Sequence, residues 1–74
     1  MSLRDIFARN LLTTRQARGL SQEALALQAD VDRTYISALE RGVYSATIDM
    51  IEKLAGVLEV DAASLLHVGR RQSK

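Results

Sequence analysis

The stretch SQEALALQADVDRTYISALERG, residues 21–42, decides the fold of this chain. It indicates two short helices around a tight turn, because Ser21 and Asp32 are helix N-cap residues and each precedes a run with helical spacing of apolar residues. Gly42 is placed to end the second helix in a left-handed conformation. So short a connection makes two helices cross at a steep angle. The segment therefore predicts two short helices that cross at a steep angle around a tight turn.

Helical signals continue on both sides of this stretch. We expect a first helix over roughly residues 3–18, ended by Gly19, and a fourth helix capped by Thr47. The fourth helix carries an amphipathic stripe of Ile48, Ile51, Leu54, Ala55 and Leu58. Asp61 is expected to cap a short fifth helix. The prediction is an all-α, compact five-helix domain over residues 1–68, followed by a frayed, basic and polar tail over 69–74.

Composition narrows the classes of function. The chain has 74 residues, no cysteine and no proline, so it is one small domain without a disulfide or a thiolate metal site. It has no apolar run long enough to span a membrane and no signal peptide, which predicts a cytoplasmic protein. His67 is the only histidine, so we expect no metal site, no cofactor and no enzyme activity. The net charge is only +1, which gives the chain little electrostatic attraction for a polyanion.

The stretch 21–42 resembles the DNA-binding helix-turn-helix of the lambda-repressor and Cro-type family. The residues that carry this resemblance are Gln22, Ala26, Asp30, Val31, Ile36 and Leu39. Within that family, DRTYIS at 32–37 followed by ERG at 40–42 is most similar to the controller proteins of restriction–modification systems. The resemblance extends over roughly residues 6–66. Two positions depart from it: Asp30 replaces the usual turn glycine, and no proline follows the second motif helix. Asp tolerates the left-handed region better than most residues.

The resemblance implies that the second helix of the motif enters the DNA major groove by its N-terminus. The expected base-contacting residues are Arg33, Thr34, Tyr35, Ser37 and Ala38. Arg33 can donate two hydrogen bonds to guanine, and Thr34 can offer its methyl group to thymine. The alternative is that this polar face is simply solvated and contacts no base. This alternative is strongest for Tyr35, Ser37 and Ala38.

Further residues are expected to hold the DNA backbone or to orient the second motif helix. The expected phosphate-contacting residues are Ser21, Gln22, Arg41, Tyr44 and Ser45. The resemblance places Gln22 on a phosphate, and a plain capping segment is the alternative for Ser21 and Gln22. Asp32 is expected to cap its helix, with a contact to cytosine as the alternative. The resemblance also implies a partly buried ion pair of Arg15 and Glu40 that ties the first helix to the third.

These expectations predict a sequence-specific, double-stranded DNA-binding transcriptional regulator, a repressor or an activator, of bacterial or phage origin and nucleoid-associated. We expect a homodimer on a pseudo-palindromic operator of a restriction–modification or phage operon. The expected dimer interface is Val57, Val60, Leu66 and Val68, which are surplus apolar residues in a region where controller proteins dimerise. Packing in the monomer core is the alternative, and we prefer it for Leu58 and Leu65.

Three rival predictions remain open. An antitoxin-like protein-interaction subunit would share the fold, whereas a small enzyme is disfavoured for want of a catalytic constellation. The third rival is the DNA-binding domain of a larger repressor. The chain starts with Met and ends in a polar tail, as expected of a complete short protein. A domain of a larger repressor is compatible with the same features.

Overall fold

The computed structural model describes residues 2–68, and within them the chain forms α-helices and one 3₁₀ helix without a β-strand. The elements are α1 (Leu3–Ala17), α2 (Gln22–Ala29), α3 (Arg33–Glu40), α4 (Ile48–Leu58) and the 3₁₀ helix (Ala62–Leu66). The predicted all-α helix-turn-helix fold is confirmed, with α2 and α3 as its two helices. The predicted tail over 69–74 lies outside the described residues.

Each α-helix begins at a residue whose side chain accepts a hydrogen bond from a backbone N–H in the first turn. Ser21 and Thr47 accept from the N–H three residues later, over 2.9 and 3.0 Å. Asp32 accepts from the N–H of Thr34 at 2.9 Å. The caps predicted for these three helices are confirmed, and Ser2 caps α1 in the same way.

The four α-helices of residues 2–68 end in one shared geometry. The residues that enter the left-handed region are Gly19 (φ 71°), Asp30 (φ 59°), Gly42 (φ 74°) and Glu59 (φ 61°). In each case the next residue donates its N–H to the carbonyl five positions back, which satisfies a terminal carbonyl. The left-handed turn predicted at Asp30 is confirmed, whereas nothing in the sequence singled out Glu59.

One hydrophobic core lies between the helices. Its fully buried large residues are Leu11, Leu25, Ile36, Leu39, Leu54, Leu58 and Leu65. α2 packs on α3 and α4, while α1 packs on α3 and on the 3₁₀ helix. Ala26 is only 3% exposed, as expected for a small residue where α2 and α3 approach closely. The core placement preferred for Leu58 and Leu65 is confirmed.

Three predictions about the later part of the chain were wrong. Ile48 is 78% exposed, although the helical stripe assigned it to the core. It is the first residue of α4 and faces an open apolar groove rather than the closed core. The fifth element is a 3₁₀ helix rather than an α-helix, and Asp61 makes no side-chain capping bond to it.

The 3₁₀ geometry follows from the hydrogen bonds that start this element. Ser64 donates both its N–H (3.0 Å) and its hydroxyl (2.6 Å) to the carbonyl of Asp61, which closes a tight turn. The side-chain amide of Asn10 then donates to the carbonyls of Leu65 and His67, at 2.9 and 2.8 Å. The end of the described chain is thereby tied to α1. No helix within residues 2–68 has the length and hydropathy to cross a membrane.

Candidate nucleic-acid interface

The first turn of α3 presents polar side chains to solvent. Arg33 and Thr34 are exposed, while Ile36 and Leu39 on the opposite face are fully buried. α2 packs directly against α3, so the exposed face is held at a fixed tilt on the domain. This arrangement leaves the α3 N-terminus free to approach another molecule.

Asp32 organises this first turn through Thr34. One carboxylate oxygen of Asp32 accepts from the backbone N–H of Thr34 at 2.9 Å and from its hydroxyl at 2.8 Å. These two hydrogen bonds, with a smaller contribution from the nearby charge of Arg33, lower the pKa of Asp32 below its ordinary value of 3.8. Asp32 therefore acts as the predicted cap. The hydroxyl proton of Thr34 is used inside the protein, and its methyl group and oxygen lone pairs remain available.

A buried ion pair joins α1 to the end of α3. Arg15 Nε lies 2.6 Å from Glu40 Oε2, and Arg15 Nη2 donates to Glu40 Oε1 at 3.0 Å. The two side chains are 10% and 4% exposed, and Arg15 Nη1 also donates to the carbonyl of Leu20 at 2.7 Å. The hydrogen bond to Glu40 raises the pKa of Arg15 above its ordinary value. The structure thus contains the ion pair that the resemblance implied.

The side chain of Gln22 connects this ion pair to Arg33. Gln22 Nε2 donates to Glu40 Oε1 at 3.0 Å, and Gln22 Oε1 accepts from Arg33 Nη1 at 3.3 Å. Sequence analysis placed Gln22 on a DNA phosphate and missed these contacts, because they join side chains from α2 and from both ends of α3. The backbone N–H groups of Gln22 and Glu23 precede the first hydrogen bond inside α2, from Leu25 to Ser21, so α2 itself does not use them.

An aromatic pair joins the first turn of α3 to the loop that follows the helix. The rings of Tyr35 and Tyr44 lie 6.5 Å apart at an interplanar angle of 34°. Tyr35 is half-buried, and Tyr44 is 57% exposed. Arg41 is exposed beside them, and its Nε lies 3.4 Å from the hydroxyl of the half-buried Ser37.

The remaining predicted contact residues differ in exposure. Ser21 and Ser45 are exposed, Ser21 at the start of α2 and Ser45 in the loop after α3. Ala38 is only 5% exposed, so it belongs to the floor under the two tyrosines rather than to the outer face. We therefore correct the prediction for Ala38, because almost none of its methyl group is left for a base to touch.

The residues predicted for a dimer interface divide into two groups. Val57, Val60 and Leu66 are half-buried and pack partly against the core of their own chain. Val68 is 56% exposed. Leu66 also lines a shallow apolar groove between α1 and α4, whose other apolar residues include Leu3, Phe7, Ile48 and Ile51.

Within residues 2–68, no three His, Cys, Asp or Glu side chains lie together in a way that could hold a metal ion.

Comparison with known proteins places this arrangement in a family. A helix-turn-helix family model matches residues 11–65. A hypothetical transcription factor of Neisseria meningitidis serogroup B (strain ATCC BAA-335 / MC58) is 45% identical over 64 residues, which are 86% of this chain. The chain spans 60% of the length of that protein. Control protein C.BamHI of Bacillus amyloliquefaciens is 38% identical over 66 residues, 88% of this chain and 82% of that one.

Solved structures lead to the same family. The crystal structure of SinR, a master regulator for biofilm formation, in complex with DNA is similar to this chain with a TM-score of 0.78 and 31% identity. The similarity covers 82% of this chain and 98% of the SinR chain. Because the family model matches well over half of the chain, and α2 and α3 form its motif, this protein belongs to the helix-turn-helix family and is similar to the control proteins within it.

Proposed function

We propose that this chain is a sequence-specific regulator of transcription that binds duplex DNA through the first turn of α3. The observation that carries the proposal is the exposure of Arg33 and Thr34 on a helix that a buried ion pair and the packing of α2 hold at a fixed tilt. Membership of the helix-turn-helix family and the similarity to SinR, which is crystallised with DNA, support it. The similarity to the crystal structure of C.AhdI, a restriction–modification controller protein from Aeromonas hydrophila, supports a role in controlling a restriction–modification operon.

The geometry suggests how the contacts divide between reading and positioning. Arg33 offers a planar fork of donors that matches the O6 and N7 acceptors of guanine in the major groove, and Thr34 offers its methyl group to thymine. Ser37 lies one turn beyond Arg33 on the same face, and the half-buried Tyr35 lies beside Thr34. Arg41, Tyr44 and Ser45 lie beyond the end of α3, where they suit phosphates, and the free N–H groups at the start of α2 suit a phosphate on the other side.

The test begins with selection of duplexes from a random DNA pool, which yields the preferred sequence. Arg33→Ala should then weaken binding to the selected duplex by about 1–3 kcal/mol while binding to unrelated duplexes changes little. Arg33→Lys keeps the charge and loses the fork, so it should lose most of the same discrimination. Lys53→Ala on α4 is the matched control for loss of one positive charge. Equal losses in Arg33→Ala and Lys53→Ala would reject base reading by Arg33.

We further propose that the chain binds DNA as a symmetric homodimer, since a net charge of +1 gives one subunit little affinity for phosphates. The second copy would cover the apolar groove beside Leu66, where Leu3 and Ile48 are 58% and 78% exposed, together with Val68. Val57 and Val60, which pack partly against their own core, would lie at its edge. Two recognition helices related by a two-fold axis would reach major grooves about 34 Å apart.

The dimer is tested by its mass in sedimentation equilibrium. Ile48→Glu puts a charge into the apolar groove and should shift the chain toward monomer, because a desolvated unpaired carboxylate opposes association. Leu27→Glu is the matched control, since Leu27 is 80% exposed on α2 and does not line the groove. If both variants sediment like the wild type as dimers, the groove is not the interface. If the wild type is monomeric at all concentrations, the dimer itself is wrong.

A further inference from the structure

A mostly apolar cleft opens beside the first turn of α3. It has a volume of about 300 Å³ and lies between α3 and the loop that follows the helix. Thr34 from the first turn of α3 and Arg41 from the end of the helix supply its polar lining. The apolar lining residues are Tyr35, Ala38, Val43 and Tyr44.

The loop after α3 holds this cleft in shape. Gly42 turns the chain back at φ 74°, and the N–H of Val43 then donates to the carbonyl of Ala38 at 3.0 Å. The ring of Tyr44 is thereby placed 6.5 Å from the ring of Tyr35, a distance of direct aromatic contact. Val43 and Tyr44 remain 53% and 57% exposed, so the cleft presents apolar surface to solvent.

The chemistry of the major groove restricts what such a cleft can bind in DNA. The two rings already contact each other, so they leave no gap in which a whole base could stack. Base edges in the major groove carry hydrogen-bond donors and acceptors, and their one apolar group is the C5-methyl of thymine. Thr34 is a proposed base contact and also lines the cleft, so the cleft lies within reach of these base edges.

We propose that this cleft binds the C5-methyl group of a pyrimidine, and that it makes the affinity for the operator depend on that methyl group. The inference rests on the proposed function and gives the ring of Tyr44 a role beyond a phosphate contact. Thymine and 5-methylcytosine carry the methyl group at the same ring position. The cleft therefore binds either base, and methylation of a cytosine at this position strengthens binding.

The first part of the test changes only the DNA. In the duplex selected from the random pool, each thymine is replaced in turn by deoxyuridine, which lacks only the C5-methyl group. Each cytosine is replaced in turn by 5-methylcytosine. Dissociation constants of the wild-type protein are measured at one salt concentration, with a scrambled duplex of the same composition as the reference for non-specific binding.

One position of the selected sequence should respond to its methyl group. Either deoxyuridine weakens binding there by about 3–5-fold, or 5-methylcytosine strengthens it by a similar factor, as for the burial of one methyl-sized group. A loss at a thymine identifies thymine as the base that the cleft binds in the selected duplex. A gain at a cytosine identifies a site where DNA methylation raises the affinity.

The second part of the test asks whether the cleft causes this response. Tyr44→Ala removes one wall, so the response should disappear, whereas Tyr44→Phe keeps the ring and should retain it. Thr34→Ser removes the other methyl group beside the cleft, keeps the hydroxyl that bonds to Asp32, and should also retain the response. Leu27→Ala is the matched control, since Leu27 is an exposed apolar residue outside the cleft. Thermal unfolding checks that each variant is folded.

Other results would overturn the inference. If no thymine and no cytosine responds in the wild type, the cleft binds no methyl group. If the response keeps its full size in Tyr44→Ala, another part of α3 contacts the methyl group. A wild-type protein that binds the selected and scrambled duplexes alike would instead refute the proposed function, so the two failures can be told apart.

Discussion

Arg15 and Arg18 lie at the same end of α1, yet they form ion pairs of very different character. Arg15 reaches inward to Glu40 of α3 through two hydrogen bonds, the shorter 2.6 Å, with both side chains almost fully buried. Arg18 reaches outward to Glu59 after α4 at 3.7 Å, with side chains 43% and 78% exposed. The environment, rather than the charges, decides what each pair contributes. A buried pair fixes geometry because neither charge can be left alone, whereas water screens the exposed pair.

The largest expected effect comes from breaking the buried pair. Arg15→Met should lower the free energy of unfolding by about 3–5 kcal/mol, because Glu40 is left charged and without its main partner. Urea unfolding followed by circular dichroism measures this loss. In the double variant Arg15→Met/Glu40→Met the loss should be smaller than the sum of the two single losses. Strictly additive losses would mean that the two residues act independently.

An intermediate effect is expected at Asp32, an exposed carboxylate that forms no ion pair with any of residues 2–68 and binds backbone and hydroxyl donors instead. Its pKa is lowered in the folded chain, so its contribution to stability is complete above the ordinary value of 3.8 and is lost as pH falls through the lower, folded pKa. Asp32→Asn keeps a capping oxygen that does not titrate.

The urea midpoints of the wild type and Asp32→Asn should therefore be compared between about pH 6 and pH 3. The wild type should lose stability relative to Asp32→Asn as the pH is lowered. The contributions of the other acidic residues to the pH dependence cancel in this comparison, because both proteins carry them. A constant difference across this range would show that the charge of Asp32 does not strengthen its cap.

The smallest effect is expected for Arg18→Met, the same substitution as at Arg15 made near the same helix end. It should change the free energy of unfolding by no more than about 0.5 kcal/mol, because an exposed pair gains little in water. Adding salt should shrink even this difference. Comparison of the urea midpoints at low and high salt measures it. If Arg18→Met lowers the free energy of unfolding nearly as much as Arg15→Met, the exposed pair and the buried pair contribute alike.

The sequence predicted the first part of the fold well, for identifiable reasons. Ser21, Asp32 and Thr47 are polar residues ahead of helical runs, and capping is a local interaction between neighbours in the chain. Gly42 and Asp30 belong to residue types that enter the left-handed region. Such signals are readable without knowing what lies across the domain.

Predictions that depended on distant neighbours were less successful. The spacing of Ile48 matched a core stripe, but spacing cannot tell whether a residue faces the closed core or an open groove. Glutamate is not a residue type that is typical of the left-handed region, so the turn at Glu59 was not predicted. Five residues at 62–66 carry too little periodicity to separate a 3₁₀ helix from an α-helix.

The candidate interface was predicted in the same uneven way. The exposure of Arg33 and Thr34 was predicted from their place in the first turn of α3, and both side chains are exposed as expected. The low exposure of Ala38 was not predicted, because helical position alone does not show which side chains pack beside a residue. The bridge from Glu40 through Gln22 to Arg33 was missed, since three elements must be assembled before these side chains meet.

The four matching helix ends have a practical consequence for engineering. Two of them use glycine, while Asp30 and Glu59 adopt the same left-handed backbone with a side chain that disfavours it, at a cost of about 1 kcal/mol or more each. Both positions are exposed, and neither is among the residues proposed to touch DNA. Glycine, or a D-amino acid introduced by synthesis, would relieve the strain there. A heat-resistant version of this domain with an unaltered recognition surface would start from these two sites.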